Sequence, residues 1–259
     1  MIFYPEIICC FFTNFAVMNI VTSPSSTPSF NLAAEEFLFS KKGENFLWLY
    51  ANEPSVIIGS NQAVLNEVDP DYCIEHSIRI IRRLSGGGAV YHDTGNLNFA
   101  FIRDSVGAPL SAVFLEPVAE VLHELGIPVE IGKRKDLWLE GYKISGTASH
   151  ISRGRELHHG TLLYDTELQR LQKSLSPEEI NRIKKATPSV PSPVRNIRSF
   201  LAEKKKSAPE AAVFFDMFTR KLLAYYGLDK ITTLRDEEIS EIEELQMSKY
   251  TQRNWNYRM

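Results

Sequence analysis

Arg82-Arg83-Leu84-Ser85-Gly86-Gly87-Gly88-Ala89-Val90-Tyr91-His92-Asp93-Thr94-Gly95-Asn96-Leu97-Asn98-Phe99-Ala100-Phe101 is the stretch around which the chain is organised. An apolar run from Ile78 to Ile81, broken by Arg79, leads into it and reads as a short strand. A second β-prone run, Leu97 to Ile102, leads out. Between them stand two arginines, three glycines in a row and a polar turn at Asp93-Thr94-Gly95-Asn96. Each glycine in a regular element costs roughly 0.5–1 kcal/mol relative to alanine. A plain hinge seldom needs all three. Consecutive glycines let the backbone approach a ligand and let N–H groups line one concavity that attracts anions. Arg82 and Arg83 carry planar forks suited to phosphate or carboxylate. The reading is a loop that cradles a phosphate ester; a flexible hairpin turn is the plainer alternative.

The loop matches neither of the commonest phosphate sites. G-x-x-x-x-G-K-[ST] is absent, and the dinucleotide fingerprint fails because Tyr91 stands where its third glycine would be.

Two further stretches complete the pattern. In Asp136 to His150, two strand-like pieces flank Glu140-Gly141, a hairpin signal. Lys143 follows on a strand, with the small residues Ser145, Gly146 and Ala148 after it, which leaves room for a ligand beside the lysine. Then His158-His159-Gly160-Thr161-Leu162-Leu163-Tyr164 reads as another strand.

Arg83-x-Ser85-Gly-Gly-Gly-Ala-Val-Tyr91-His92-Asp93-x-Gly95-Asn96, Gly141-x-Lys143-Ile-Ser-Gly146-x-Ala148 and His159-Gly160-Thr161-Leu162-Leu163 together resemble the lipoate–protein ligase A family. The resemblance runs from about Phe30 to Trp255, with the motifs in the family's order. It implies an α+β fold of mixed β-sheets with flanking helices, like the catalytic domains of biotin and lipoate protein ligases. It implies ATP-dependent activation of lipoate to lipoyl-AMP, then transfer to a lysine of a lipoyl domain. By resemblance, Arg83, Gly88, Ala89, Val90, Tyr91 and Lys143 match the family's ATP- and lipoate-contacting positions, with Lys143 as the catalytic group; Ser85, Gly86, Gly87 and Gly146 are further candidate contacts. His159 is a candidate for the acyl pocket, against the reading of a satisfied sheet histidine. Mg²⁺ is expected on the triphosphate, with Asp136 or Asp93 as ligands. Gly59-Ser60-Asn61-Gln62 matches the family's Gly-x-x-Gln loop and is expected to line the cleft. Ser60 replaces a basic residue there, so one anion contact is expected to be missing. The resemblance names lipoyl domains of 2-oxoacid dehydrogenase complexes and the glycine cleavage H protein as acceptors. Many relatives continue past the Trp255-Asn256 segment into an accessory domain; a separate polypeptide supplying it is a further expected partner.

Composition sets the outer bounds. With 259 residues, 44% apolar and 24% charged, the chain can bury a sizeable core. A net charge of −3 provides no field for nucleic acid. Cys9, Cys10 and Cys73 form neither a disulfide framework nor a metal spacing, which suits a reducing cytoplasm. Residues 1–21 are mostly apolar, but no Lys or Arg precedes the apolar run and Pro5, Glu6 and Asn14 interrupt it, so neither a signal peptide nor a membrane span is expected. Residues 1–17 read as an extension or tail upstream of Met18, and 18–259 as one catalytic domain, expected as a monomer.

Helices are expected over Asn31–Lys42, Asp69–His76, Ser111–Gly126, Ala208–Tyr226 and Asp236–Tyr250, with another starting at Ser176-Pro177-Glu178-Glu179. Strands are expected at Phe46–Tyr50, Ser55–Gly59 and Val129–Ile131. The basic turn Lys133-Arg134-Lys135 is either a solvated face or a dock for an acidic partner. Thr187 to Pro193 holds three prolines and leads into Val194-Arg195-Asn196-Ile197, a rigid segment able to cover an adenylate. Three rival functions remain. An octanoyl or lipoyl transferase without ATP would need a cysteine nucleophile, and none lies near Lys143. A biotin ligase would need a Gly-Arg-Gly-rich loop, which is absent. A non-catalytic module that binds lipoate or lipoyl domains would not need both Arg83 and Lys143.

Overall fold

Residues 18–105, 112–176 and 192–258 are described by a computed structural model. The expected tail at 1–17, the Pro177-Glu178-Glu179 helix start and the first part of the proline-rich segment lie outside those residues.

Near-continuous apolar runs need cover on both faces, and the central strands meet that need. Five strands form one sheet in the order β1 (Met18–Thr22), β2 (Asn45–Ala51), β6 (Asn96–Asp104), β11 (Arg155–Leu163), β10 (Thr147–Ser152). β1 runs parallel to β2, and the remaining pairs are antiparallel. All nine residues of β11 are buried. One face packs on α1 (Pro28–Ser40) and α8 (Asp236–Leu245), around Trp48, Leu38 and Ile242. The other packs on α4 (Glu116–Glu124), α6 (Ile197–Glu203) and α7 (Ala211–Tyr225), around Phe99, Val118, Phe200 and Phe218.

A second sheet, in the order β4 (Arg79–Arg82), β3 (Ser55–Ile58), β5 (Val90–His92), has its own small core against α2 (Val64–Glu67) and α3 (Pro70–Glu75). A third joins β7 (Glu130–Ile131), β8 (Leu137–Leu139) and β9 (Tyr142–Lys143). α5 (Leu168–Ser174) and α9 (Arg253–Asn256) complete the described elements. The expected α+β class is the one observed.

Local chemistry sets the boundaries. α1 begins at Pro28, three residues earlier than the periodicity implied, because proline pre-sets φ for the first helical turn. Asp69 caps α3, its carboxylate accepting from the Tyr72 N–H at 2.9 Å. The expected Ser111–Gly126 helix is split into a 3₁₀ turn at Ala112–Phe114 and α4, with Pro117 in α4's first turn. Gly126 closes α4 at φ +79°. α8 stops at Leu245, and Gln246–Tyr250 continues as a π-helical turn. Glu140 and Gly141 have φ of +48° and +81°, the two positive values of a type I′ hairpin, so the Lys143 strand is delivered by that turn. The sequence reading places no strand at β1, β5 or β10.

Candidate active site

The glycine loop links β4 to β5, and its shape is held from below by Arg83. The side chain is 4% exposed. Its Nε donates to Ser85 Oγ at 2.9 Å, one terminal nitrogen to the Ile57 carbonyl at 3.0 Å, and the other to the carbonyls of Gly86 at 2.6 Å and Gly88 at 2.8 Å. The loop carbonyls therefore turn toward Arg83. Among the described residues, the N–H groups of Gly86, Gly87 and Gly88 have no hydrogen-bond partner. Gly87 sits at φ +87°, and a Cβ there would lie 3.1 Å from the Arg83 guanidinium.

Both arginines of the pair are engaged by the chain itself. Arg83 braces the loop instead of presenting a free fork. Arg82 is fully buried, and it too is spent on carbonyls: Gly59 at 2.8 Å, Gln62 at 2.8 Å, Trp255 at 3.1 Å, Asn256 at 3.1 Å and Arg258 at 2.7 Å. Burial brings both guanidinium pKa values down to about 10, and both stay charged at neutral pH.

Below Arg83 runs a buried polar relay. The Ser85 hydroxyl and His159 Nε2 are 2.6 Å apart. His159 Nδ1 donates to Glu35 at 3.0 Å, and the Tyr50 hydroxyl donates to the same carboxylate at 2.9 Å. Both ring nitrogens of His159 are thus engaged within the chain. Glu35 and Tyr50 had not been singled out. The signal for Glu35 was an acidic residue inside a helix whose other positions are mostly apolar and buried.

Three motifs distant in sequence meet here. A Cβ on Gly87 would lie 3.6 Å from Ala148 Cβ, and one on Gly146 would lie 3.9 Å from Val90 Cγ1 and 4.0 Å from Lys143 Cε. Lys143 Nζ lies 3.3 Å from Asp136 Oδ2, the lysine side chain 22% exposed and the aspartate 5%. Its backbone N–H donates to the Pro193 carbonyl at 2.8 Å, so the proline-rich segment is latched to the lysine strand. The Gly59–Gln62 loop also abuts the site: a Cβ on Gly59 would fall 2.2 Å from the Gly87 carbonyl oxygen.

Asp93 is engaged by its own turn. One oxygen accepts from the Gly95 N–H at 3.0 Å and the other from the Glu167 N–H at 2.8 Å, so the carboxylate is consumed by its own turn. Gly95 has no space for a side chain, since a Cβ would fall 2.0 Å from the Asp165 carbonyl oxygen. Tyr91 is buried with its phenol pushed up to about 12, mainly by desolvation. Among the described residues no cluster of three or more His, Cys, Asp or Glu could hold a metal ion. Asp136, beside Lys143, is the acidic group left at the site. Cys73 lies in the core of the second sheet, its thiol raised to about 11 by burial, so it offers no thiolate nucleophile at neutral pH.

Two buried histidines carry a pH signature. His92 accepts from Asn52 at 3.0 Å, and burial followed by the Arg83 charge lowers it to about 3. His158, stacked on Phe114 at 3.7 Å, is lowered to about 4, mainly by burial. Between those values and the ordinary 6.5 the unfolded chain binds more protons than the folded one, so stability rises with pH. The contribution of these two histidines is fully present above about pH 6.5 and declines below it. Thermal melts at pH 7.5, 5.5 and 4.5 should show a progressive fall, reaching about 5–10 °C at the lowest pH. His92→Gln should flatten that dependence; an unchanged slope in the variant would assign it to other groups.

With this geometry in hand, residues 27–223 match the family model for the lipoyl protein ligase A/B catalytic domain. The chain belongs to that family. It is 35% identical over 240 residues to the lipoate-protein ligase LplJ of Bacillus subtilis, covering 89% of this chain and 70% of the relative. A bi-partite lipoate protein ligase of Thermoplasma acidophilum, from a study with its E2 lipoyl domain, superposes with a TM-score of 0.75 at 29% identity, over 92% of this chain and 95% of the other. A lipoate-protein ligase A bound with ATP superposes at 0.74 and 28% identity, over 93% and 97%. All three motifs of the family reading fall inside the matched range. Among the described residues, no helix is long and apolar enough to cross a membrane.

Proposed function

We propose that this chain carries out lipoate–protein ligation through an acyl-adenylate. The observation that supports this best is the convergence of unpartnered glycine N–H groups, Lys143 and the small residue Gly146 on one place. A carboxylate cannot acylate an amine directly, because oxide would have to leave. In the first step the lipoate carboxylate attacks the α-phosphate of ATP, and pyrophosphate departs. In the second the amine of an acceptor lysine attacks the acyl carbon, losing a proton, and AMP departs. The Gly86–Gly88 amides supply fixed donors to phosphoryl oxygens. Lys143, a compact point charge, balances the charge that builds on phosphorus in one step and on the acyl oxygen in the other. Arg83 and the Ser85–His159–Glu35 relay hold the donors in place.

Mg²⁺ fits as an auxiliary to the nucleotide: Asp136 would hold it, and when bound it would neutralise triphosphate charge. Magnesium commonly takes one or two carboxylates plus phosphate oxygens, so the lack of a three-residue cage is no obstacle. Lipoyl domains of 2-oxoacid dehydrogenases and the glycine cleavage H protein are the proposed acceptors, in the cytoplasm. Residues 18–259 are the proposed catalytic unit. A second polypeptide is a proposed partner, with the bi-partite relative as the parallel.

The test combines purified chain, lipoate, ATP, Mg²⁺ and an apo-lipoyl domain. The expected result is pyrophosphate release and a mass increase of one lipoyl amide, both dependent on ATP. Transfer from a thioester donor without ATP would point to a transferase. Binding with no turnover, even from preformed lipoyl-AMP, would point to a binding module.

A further inference from the structure

β10 is the last strand of the five-stranded sheet, and its outer edge is open among the described residues. The hydrogen-bond phase follows from two bonds just before it. The Leu163 N–H donates to Ile144 and the Thr161 N–H to Gly146, so even-numbered positions bond inward to β11. By antiparallel alternation, Thr147, Ser149 and Ile151 turn their N–H and C=O groups away from the sheet. The opposite edge differs: β1 is closed by a bridge from Val21 to Thr232, whose N–H donates to Ile20 at 2.7 Å. β10 also has none of the usual edge protection. Thr147–Ser152 contains no proline and no Lys, Arg, Asp or Glu, and Ile151 is 41% exposed.

What lies at the head of this edge narrows the occupant. The Thr147 hydroxyl donates to the Lys135 carbonyl, which ties the Lys133-Arg134-Lys135 turn to the first residue of β10. Lys133 and Arg134 are exposed and have no ion-pair partner among the described residues. The same end of β10 is four residues from Lys143, whose Cε is 4.0 Å from a Cβ built on Gly146. A strand laid along β10 would therefore bring its end to the reactive lysine pocket while passing three cations.

We infer that β10 receives the acceptor protein by strand addition: an acidic edge strand of the lipoyl domain extends the sheet and presents its target lysine beside Lys143. This rests on the ligase reading above and specifies how that site takes its protein substrate. Backbone pairing supplies affinity with little demand on sequence, and the basic turn supplies selection for acidic strands.

The experiment measures amide exchange by NMR in the full chain, free and with an apo-lipoyl domain. Thr147, Ser149 and Ile151 should exchange rapidly when free and become protected in the complex, while Ala148 and His150 change little. Ser149→Pro removes an outward N–H at an edge position where proline is tolerated. It should raise the KM for the lipoyl domain about tenfold or more and leave lipoate-dependent ATP–pyrophosphate exchange unchanged. Lys133→Glu with Arg134→Glu should act the same way, and the wild-type KM should climb with salt. Absence of protection in a domain that is still lipoylated would overturn the inference, as would protection already present in the free chain, which would mean that another segment or a second copy covers the edge. Equal loss of pyrophosphate exchange in the charge-reversed variant would assign the basic turn to the nucleotide. Failure of pyrophosphate exchange in the unmodified chain would instead count against the ligase reading itself.

Discussion

Replacing Lys143 with alanine is expected to lower lipoylation from lipoate and ATP by about 10²–10³-fold or more, the scale of losing one fixed charge from a transition state. Both half-reactions should suffer, because in the proposed mechanism the lysine faces charge on phosphorus first and on the acyl oxygen second. Single-turnover assays of pyrophosphate release and of transfer from lipoyl-AMP read the two losses separately. The substitution also leaves Asp136, 5% exposed, without its partner at 3.3 Å. Some loss of stability is therefore expected, of order 1–3 kcal/mol, or a few degrees in a chain of this size. Lys143→Arg separates the two effects. It keeps the charge opposite Asp136 but replaces a compact ammonium with a planar fork, so the melt should recover further than the activity. Retention of most activity in Lys143→Ala would show that the lysine belongs to the surface and not to the chemistry.

Gly87→Val is expected to abolish measurable ATP binding. At φ +87° a β-branched residue is strained by about 1–3 kcal/mol. Its Cβ would lie 3.1 Å from the Arg83 nitrogen that holds the Gly86 and Gly88 carbonyls. The side chain would disturb that brace, and the loop donors would lose their alignment. Gly86→Ala is the informative control. Its φ is not positive, and its Cβ would meet no atom within 4 Å, so the protein itself tolerates a methyl group there. Any loss of affinity in Gly86→Ala reports space needed by the ligand. Calorimetry with ATP and with a non-hydrolysable lipoyl-AMP analogue measures both variants. Unchanged affinity in Gly87→Val would reduce the three glycines to a hinge.

The parts of the site that could be read from sequence are those whose residue types are costly anywhere else. Three glycines in a row, a lysine followed by small residues and a strand rich in histidine stand out because ordinary strands and helices do not favour them. What they touch was less legible. Arg82 and Arg83 are adjacent and chemically identical, yet Arg82 is fixed by carbonyls up to 176 residues away and Arg83 by those of Ile57, Gly86 and Gly88. Nothing local distinguishes a fork that meets a ligand from one that meets the backbone. Glu35 was hidden for the opposite reason. Glu35 and Glu36 look like one solvated pair, but Glu35 turns inward to His159 while Glu36 pairs with Lys249 at 2.6 Å. The missed strands follow the same rule. β1 had been absorbed into the apolar stretch that precedes it. β10 mixes small and polar residues and is only partly buried, so it lacks the hydrophobic signature of a buried strand. The three-part motif reading survived because it depended on residue identities; the split of the Ser111–Gly126 helix went unnoticed because Pro117 sits inside an otherwise good helical pattern.

Arg82 also bears on how the molecule can be handled. One guanidinium fastens the backbone at Trp255, Asn256 and Arg258 to the Gly59–Gln62 loop, and that loop rests on Gly87. A pull applied just beyond Tyr257 would thus travel through Arg82, by its guanidinium and by the bonds of its backbone to Trp255 Nε1 and Asn256 Oδ1, into the glycine loop. An affinity tag, a fluorophore or a surface linker fused close after that point would load the glycine loop mechanically, whereas the same attachment ahead of Met18 would load only an outer strand of the main sheet.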